Sequence, residues 1–362
     1  MIVIGIDAHK RSHTAVAVDG ATGQALGEQM VVADDDGHRR LLRFAQRFGE
    51  QAQREWAIED CRHVSRRLES ALLRAGERVL RVPPKLMAGA RKAARTFGKS
   101  DGIDALAVAR AALREPDLPV ARLAGVEREI ALLLDHRANL VVERTRLQGR
   151  LRWLIQELDP TLEPAGRSLD NFAVLDRLKR QLAKQPSSTL VRIMGEVLAR
   201  IRELIVQARA IARDLAPLVR RHAAPLLALP GVGIINAARL LAEVADIRRF
   251  RTDAQLALYA GVAPLDASSG RQRRHRLNRT GNRQLNAALH MIALTQARLH
   301  PPAKAYLARR RADGKTGKEA IRALKRHLAR VLFRLLKQIA ERDQNHAPDT
   351  AIQGAAPLTC LR

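Results

Sequence analysis

The sequence predicts a mixed α/β domain at the N-terminus, a middle built from long helices, and a mostly α C-terminal domain. Three observations carry this. Three strand-like runs open the chain and give way to alternating helix and strand patterns up to residue 114. Apolar heptads then run through 127–158 and 189–219. Beyond 220 the apolar periodicity is helical and the composition turns strongly basic.

The elements follow in order. Ile2-Val3-Ile4-Gly5-Ile6 is a strand, and Thr14-Ala15-Val16-Ala17-Val18 is a second, closed by the turn signal Asp19-Gly20. A third run ends in Met30-Val31-Val32. Residues 37–48 read as a helix with Leu41, Leu42, Phe44, Ala45 and Phe48 on its apolar side. Strand 55–59, helix 63–75, a strand over 78–82 stopped by Pro83-Pro84, and helix 101–114 complete the domain. In the second heptad stretch Leu190, Val197, Leu204, Ile211 and Leu218 alternate with Met194, Ile201, Ala208 and Leu215. In the first, Leu133, Leu140, Leu147 and Leu154 form one row, and Ile130, Arg137, Arg144, Leu151 and Leu158 the other. Two antiparallel helices or a dimerising coiled coil both satisfy these rows. Arg137 and Arg144 in the seam either snorkel and pair with acids or face nucleic acid or a partner. Pro160, Pro164 and Pro186 mark 159–188 as an irregular turn region. Leu229-Pro230-Gly231-Val232-Gly233 lies between helical runs and reads as a helix-hairpin-helix turn, with Gly231 and Gly233 letting backbone N–H groups approach a phosphate. A plain helix–helix turn is the alternative. Residues 253–260 are helical, 261–281 loop-like and basic, and helices resume at 282–299 and 318–341. The boundaries are 1–125, 126–220 and 221–345, with a polar tail expected to be disordered over 346–362.

The formal net charge is +27, which speaks to partners rather than to fold. It is unevenly spread. Residues 1–120 hold 20 Lys+Arg against 16 Asp+Glu, whereas 270–338 hold 19 against 2. A polyanion grip near the C-terminus is expected, with nucleic acid ahead of a membrane surface. No apolar run is long enough to span a bilayer, and no signal peptide is expected, because Asp7 interrupts the first apolar run and nothing basic precedes it. Two cysteines are too few for a disulfide framework or a cysteine-based zinc site. A bacterial cytoplasmic, nucleoid-associated protein is expected. Aromatics make up 3% of the chain, so stacking on aromatic platforms is not expected to be the main binding mode.

Against this basic background, four acids stand out. Asp7 and Glu59 close strands, and Asp101 and Asp104 share one face at the start of a helix. Such a set repels itself unless cations neutralise it, and hard divalent metals fit best. The bland alternative is N-capping by Asp101 and an exposed turn carboxylate at Asp7. Asp60 competes with Glu59, but strand alternation turns the two to opposite faces. A second constellation runs through Tyr259-Ala260-Gly261-Val262-Ala263-Pro264, Ser268-Ser269-Gly270 and the arginines Arg271, Arg273, Arg274, Arg276, Arg279 and Arg283. The arginines can bind a phosphate and favour an attacking alkoxide. A serine in a loop proves little by itself.

Taken together the motifs resemble one family. Gly5-Ile6-Asp7-Ala8-His9-Lys10, Lys99-Ser100-Asp101-Gly102-Ile103-Asp104-Ala105, Leu229-Pro230-Gly231-Val232-Gly233, the Gly261–Pro264 and Ser269-Gly270 run, and Arg279-Thr280-Gly281-Asn282-Arg283 occur in order. They are similar to the DEDD-type insertion-sequence transposases of the "one-ten" family, bridge-RNA-guided recombinases whose N-terminal domain is similar to the Holliday-junction resolvase RuvC. The resemblance implies a ribonuclease-H-like (RuvC-like) N-terminal fold, which three leading strands and then α/β alternation also match. It implies that Asp7, Glu59, Asp101 and Asp104 bind Mg²⁺ and that Ser269, or Ser268 one residue away, is the nucleophile. It further implies donor and target DNA, a structured guide RNA, and dimers that pair into a tetramer joining Ser269 of one subunit to the acids of another. Relatives often carry Thr-Gly after the glutamate, where this chain has Asp60-Cys61-Arg62. A resolvase-like endonuclease using only the acids, or a non-catalytic architectural protein, would share the charge pattern.

Overall fold

The computed structural model describes residues 1–60, 62–84, 86, 100–115, 118–123, 125–266, 275–276, 278 and 281–345. The chain forms two compact units, 1–125 and 126–362.

In the first unit, β1 (Ile2–Ala8), β2 (Ser12–Asp19), β3 (Ala25–Val32), β4 (Arg54–Glu59) and β5 (Val79–Val82) form one sheet in the order β3-β2-β1-β4-β5. β1–β2 and β2–β3 are antiparallel, while β1–β4 and β4–β5 are parallel. An antiparallel meander with parallel strands added beside β1 fits the ribonuclease-H-like arrangement. Strand alternation divides the apolar residues between two faces. Ile4, Ile6, Trp56 and Ile58 pack with Leu41 and Phe44 of α1 (Asp35–Gln46) and Leu68 and Leu72 of α2 (Arg62–Arg74). Val3, Ala57 and Val82 point the other way, onto the alanine-rich α3 (Asp101–Arg114). That approach is close because Gly5 has no side chain. A Cβ there would lie 2.1 Å from the Ala105 carbonyl oxygen and 2.7 Å from the Ala109 nitrogen.

The second unit begins with α4 (Val126–Leu158) and includes α5 (Phe172–Leu182) and α6 (Thr189–Leu227). Leu151 and Ile155 share a core with Met194 and Ile201, whereas Ile130 and Leu134 share one with Leu215 and Val219. α4 and α6 therefore run antiparallel. Arg144 lies 3.3 Å from Asp170. Arg137 has a buried Nε with no hydrogen-bond partner among the described residues, and its pKa is lowered by burial and then by the charges of Arg144 and Arg239. The stretch 159–188 is more ordered than its prolines imply. Those prolines bracket α5 without entering it, and Leu175, Leu178 and Leu182 fasten it to the α4–α6 pair. After α6 come α7 (Ile234–Val244), α8 (Asp253–Tyr259), a two-residue hairpin of β6 (Leu265–Asp266) and β7 (His275–Arg276), α9 (Arg283–Leu299), α10 (Pro301–Ala312) and α11 (Gly317–Asn345). The 229–233 turn joins α6 to α7. Gly231 has φ +86, and its carbonyl neighbour Pro230 accepts from Gln296 Nε2 at 2.7 Å. Gly233 caps α7 without a side-chain hydrogen bond. The 346–362 tail lies outside the described residues.

Two predictions arise here. Gly5→Ala forces backbone against backbone, so denaturant unfolding should show a loss of about 1–3 kcal/mol or more. His13 and His38 stack in the sheet core with ring centroids 5.6 Å apart. Burial, then His38, lowers the His13 pKa to about 4. The unfolded chain takes up that proton near pH 6.5, so the stability tied to neutral His13 is complete above 6.5 and declines as pH falls toward 4. Melting temperatures over this range should fall less steeply for His13→Phe than for the unmodified chain.

Candidate functional site

The register of the sheet decides where the acids meet. Ile6 pairs with Ile58 in the parallel β1–β4 ladder, so Asp7 and Glu59, one residue on, stand side by side on the α3 face. Glu59 is also in register with Val82, which packs toward α3. Asp60 turns to the other face, where it acts on Arg81, itself paired with Glu69 of α2. α3 delivers Asp101 and Asp104 in its first turn. Ser100, rather than Asp101, is the N-cap, its Oγ accepting from the Ile103 N–H at 3.3 Å. Asp7 is a strand residue, only 8% exposed. Neither bland reading of the acids therefore describes what they do.

His9 Nε2 lies 3.0 Å from Asp7 Oδ2 and 3.5 Å from Asp101 Oδ1. The imidazole stands between two carboxylates, in the kind of position a cation fills. Ligand atoms of Asp7, His9 and Asp101 all fall within 4.8 Å of one another, and they form the metal-capable group among the described residues. Glu59 and Asp104 are not members of that tight group. Burial holds the Asp7 carboxyl above the usual carboxylate range; Asp104 and Asp101 push it the same way, and His9 opposes them. Across the β1–β2 ladder Asp7 faces Thr14, fully buried, whose hydroxyl has no hydrogen-bond partner among the described residues. Glu28 of β3 adds a further carboxylate against the first turn of α3, near Gly102. A self-repelling, partly desolvated carboxylate set with an unsatisfied hydroxyl beside it fits a hard divalent cation.

Residue types alone did not reveal His9, Thr14 and Glu28. The two-residue spacing of Asp7 and His9 at a strand end was the available signal, since it sets both on one face. The other two depend on cross-strand register.

The second constellation is only partly described. Ser268, Ser269, Arg271, Arg273, Arg274 and Arg279 lie outside the described residues. Arg276 lies in β7, and Arg283 opens α9 in an exposed position. The base of the segment is well defined. Asn278 Nδ2 donates to the Leu258 carbonyl at 3.2 Å, the Asn282 backbone N–H to that of Tyr259 at 2.7 Å, and Asn286 Nδ2 to those of Ala260 and Gly261 at 2.9 and 3.0 Å. Gly261 (φ +66) and Gly281 meet backbone to backbone, where a Cβ on Gly281 would come within 2.2 Å of the Gly261 nitrogen. Behind this seam Lys325 Nζ donates to Asn286 Oδ1 at 2.5 Å. Burial pushes the Lys325 ammonium below the usual lysine range, and Arg322 adds to the effect. The asparagines recur every four residues, a helical spacing that was the one sequence signal for this seam.

A transposase model of the DEDD, IS110 type matches residues 4–160. A model described as the transposase IS116/IS110/IS902 family matches 223–308. The chain belongs to this family of insertion-sequence transposases. The 44.8 kDa protein of insertion element IS116 from Streptomyces clavuligerus is 28% identical, with 93% of this chain and 94% of that protein aligned. The 42 kDa protein of insertion element IS900 from Mycobacterium paratuberculosis is 26% identical, over 93% and 96%. Among solved structures, T. thermophilus RuvC in complex with Holliday junction substrate aligns at 18% identity and a TM-score of 0.24, over 31% of this chain and 91% of that one. By its family models and relatives, the transposase is a DNA-recombining enzyme of the DEDD class. No helix among its described residues is long and apolar enough to cross a membrane.

The seam yields a prediction for the transposase. Asn286→Ala strands two carbonyls and a buried ammonium, so denaturant unfolding should show a loss of about 1–3 kcal/mol for each group left unsatisfied. Lys325→Met removes the buried cation along with its bond and should cost less than Asn286→Ala.

Proposed function

We propose that the transposase cuts and rejoins DNA strands with Asp7, Glu59, Asp101 and Asp104 as holders of Mg²⁺ and Ser269 as the nucleophile. The observation that carries the first half is the sheet register, with Asp7 and Glu59 side by side on the face over which α3 brings Asp101 and Asp104. When bound, such ions stabilise the attacking and leaving oxygens of a phosphodiester exchange. His9, whose Nε2 lies against Asp7 and Asp101, would join them in holding the ion, and Thr14 offers a hydroxyl beside Asp7. Ser269 Oγ forms a bond to phosphorus as the bond to the bridging oxygen of the strand breaks; the hydroxyl proton passes, through solvent, to that leaving oxygen, which departs as the strand's free hydroxyl. Arg271, Arg273, Arg274, Arg276, Arg279 and Arg283 hold the phosphate and the developing negative charge. Ser268 is the neighbour that would substitute if the assignment is shifted by one residue.

Further parts of the reading rest on the family. Residues 1–125 form the catalytic acidic domain, 126–220 a coiled coil that builds dimers, and 221–345 the serine-bearing domain. Subunits assemble into a tetramer in which the serine of one meets the acids of another. A structured non-coding RNA selects donor and target by pairing, so the protein reads backbone and duplex shape. Gly231 and Gly233, at an N-terminus of α7 free of side-chain capping, take a phosphate. Arg137 and Arg144, half-buried and electrostatically opposed to each other, also gain from a phosphate nearby. The protein works in the cytoplasm, on the nucleoid.

A recombination assay on donor and target plasmids, with native flanking DNA supplying any RNA, tests this. Asp7→Ala and Ser269→Ala should each lower product by about a hundredfold or more. A covalent protein–DNA species should form only when Ser269 is present, and chelating divalent ions should stop the reaction. Product from Ser269→Ala without product from Asp7→Ala would leave the resolvase-like endonuclease reading, unless Ser268→Ala then abolished it.

A further inference from the structure

The second unit holds an open cleft of about 680 Å³ whose walls include Arg249, Phe250, Leu258, Tyr259 and Asn282. Its residue types are out of keeping with the chain, which has 6 Phe and 2 Tyr in 362 residues. The Phe250 and Tyr259 rings lie 5.3 Å apart. The Arg249 guanidinium covers both, 4.6 Å from one centroid and 4.5 Å from the other. Its plane is pinned by a 3.0 Å hydrogen bond to the Glu243 carbonyl. Asn282 Nδ2 is held by the Glu243 carboxylate at 2.7 Å and the Tyr259 hydroxyl at 3.2 Å. Arg249 is exposed, so its outer face is open to solvent.

This is a fixed cationic plane backed by two aromatic rings, with an exposed Leu258 beside it. A flat, electron-rich, uncharged group stacks best on such a surface. The neighbourhood selects for a polyanion. Arg248 and Arg251 flank the platform, Arg283 follows Asn282, and the nearby carboxylates Glu243 and Asp246 are already engaged by Asn282 and Arg248. A nucleobase carried on its phosphate backbone meets both demands, whereas a paired base is already stacked and cannot lie on the platform. Tyr259 and Asn282 are also the stitched ends of the segment bearing Ser269.

We propose that this cleft takes one unpaired base of a DNA strand, stacked on the outer face of Arg249, with the phosphates of that strand on the flanking arginines. The inference rests on the reading of the chain as an enzyme of DNA strands, but not on which residue is the nucleophile. It makes the cleft a place where a base released from pairing during strand exchange is held.

Photo-crosslinking tests it with the full chain. The probes are a short DNA single strand carrying 5-iododeoxyuridine, the same strand fully paired, and the matching RNA strand. Adducts should map to Arg249, Leu258 or the edge of Tyr259 with the DNA single strand, about tenfold above the duplex. Arg249→Lys keeps the charge and removes the plane, so adduct yield should fall about tenfold while total binding in a filter assay changes by less than about twofold. Equal adducts from the duplex, adducts mapping to other basic segments, or an unchanged yield from Arg249→Lys would overturn the proposal. Stronger adducts with RNA would overturn the DNA assignment. The crosslink needs no strand cleavage and should persist in Ser269→Ala. Retained recombination in Ser269→Ala with crosslinks intact would therefore count against the catalytic reading alone.

Discussion

The acidic site depends on the missing side chain of Gly5. β1 and α3 touch there at backbone distance, with room for nothing larger than hydrogen. The contact sets the height of α3 over the sheet, and the first turn of α3 carries Asp101 and Asp104. The alanines along its inner face, among them Ala105, Ala109 and Ala112, keep that approach close over the rest of the helix. Asp7, two residues after Gly5 on the same strand face, is consequently covered and crowded by like charge. A bulkier residue in the strand would lift the helix and relax the repulsion. The electrostatic tension of the site is thus a product of close packing.

The second unit solves a related problem in another way. The segment that follows Tyr259 is rich in arginine, so the modest apolar burial of its stem, through Ala260 and Val262, is supplemented by hydrogen bonds. Backbone carbonyls at the end of α8 are taken up by asparagines from the start of α9, and two glycines let the strands of the stem touch. Lys325 closes the network from α11. Hydrogen bonds to buried carbonyls are costly to lose, so the stem is specified by its backbone as well as by its few apolar side chains.

These two sites also show what a sequence exposes and what it hides. The strands, α3 and the α4–α6 pair were legible because period two and period seven are written in the apolar residues themselves. Alternation alone set Glu59 and Asp60 on opposite faces without saying which of them joins the acids, and the observed register turns Glu59 toward α3 and Asp60 away. α5 was hidden because prolines at 160, 164 and 186 dominate its surroundings, although Leu175, Leu178 and Leu182 carry a helical spacing. α10 was hidden by the Pro301-Pro302 pair that starts it, prolines being acceptable in the first turn of a helix. Thr14 and Glu28 become neighbours of the acids only through pairing between strands, which no local pattern encodes. The stem asparagines bond to backbone, and backbone acceptors have no sequence signature.

Both units are electrostatically incomplete in isolation, and in opposite senses. The first gathers carboxylates around a partly desolvated Asp7, with one imidazole to offset them. The second holds half-buried Arg137 beside Arg144 and Arg239, with Asp170 answering Arg144 but, among the described residues, no acceptor on Arg137 Nε. Folding alone gains nothing from either arrangement, since like charges brought out of water raise the free energy of the compact state. Cations would relieve the first and a polyanion the second. On the proposed reading one complex supplies both: a nucleic-acid backbone neutralises the arginines, and the ions that accompany its phosphates neutralise the acids. The repulsion stored in each unit is then released on binding, so the same charges that cost stability to the free protein favour the loaded one.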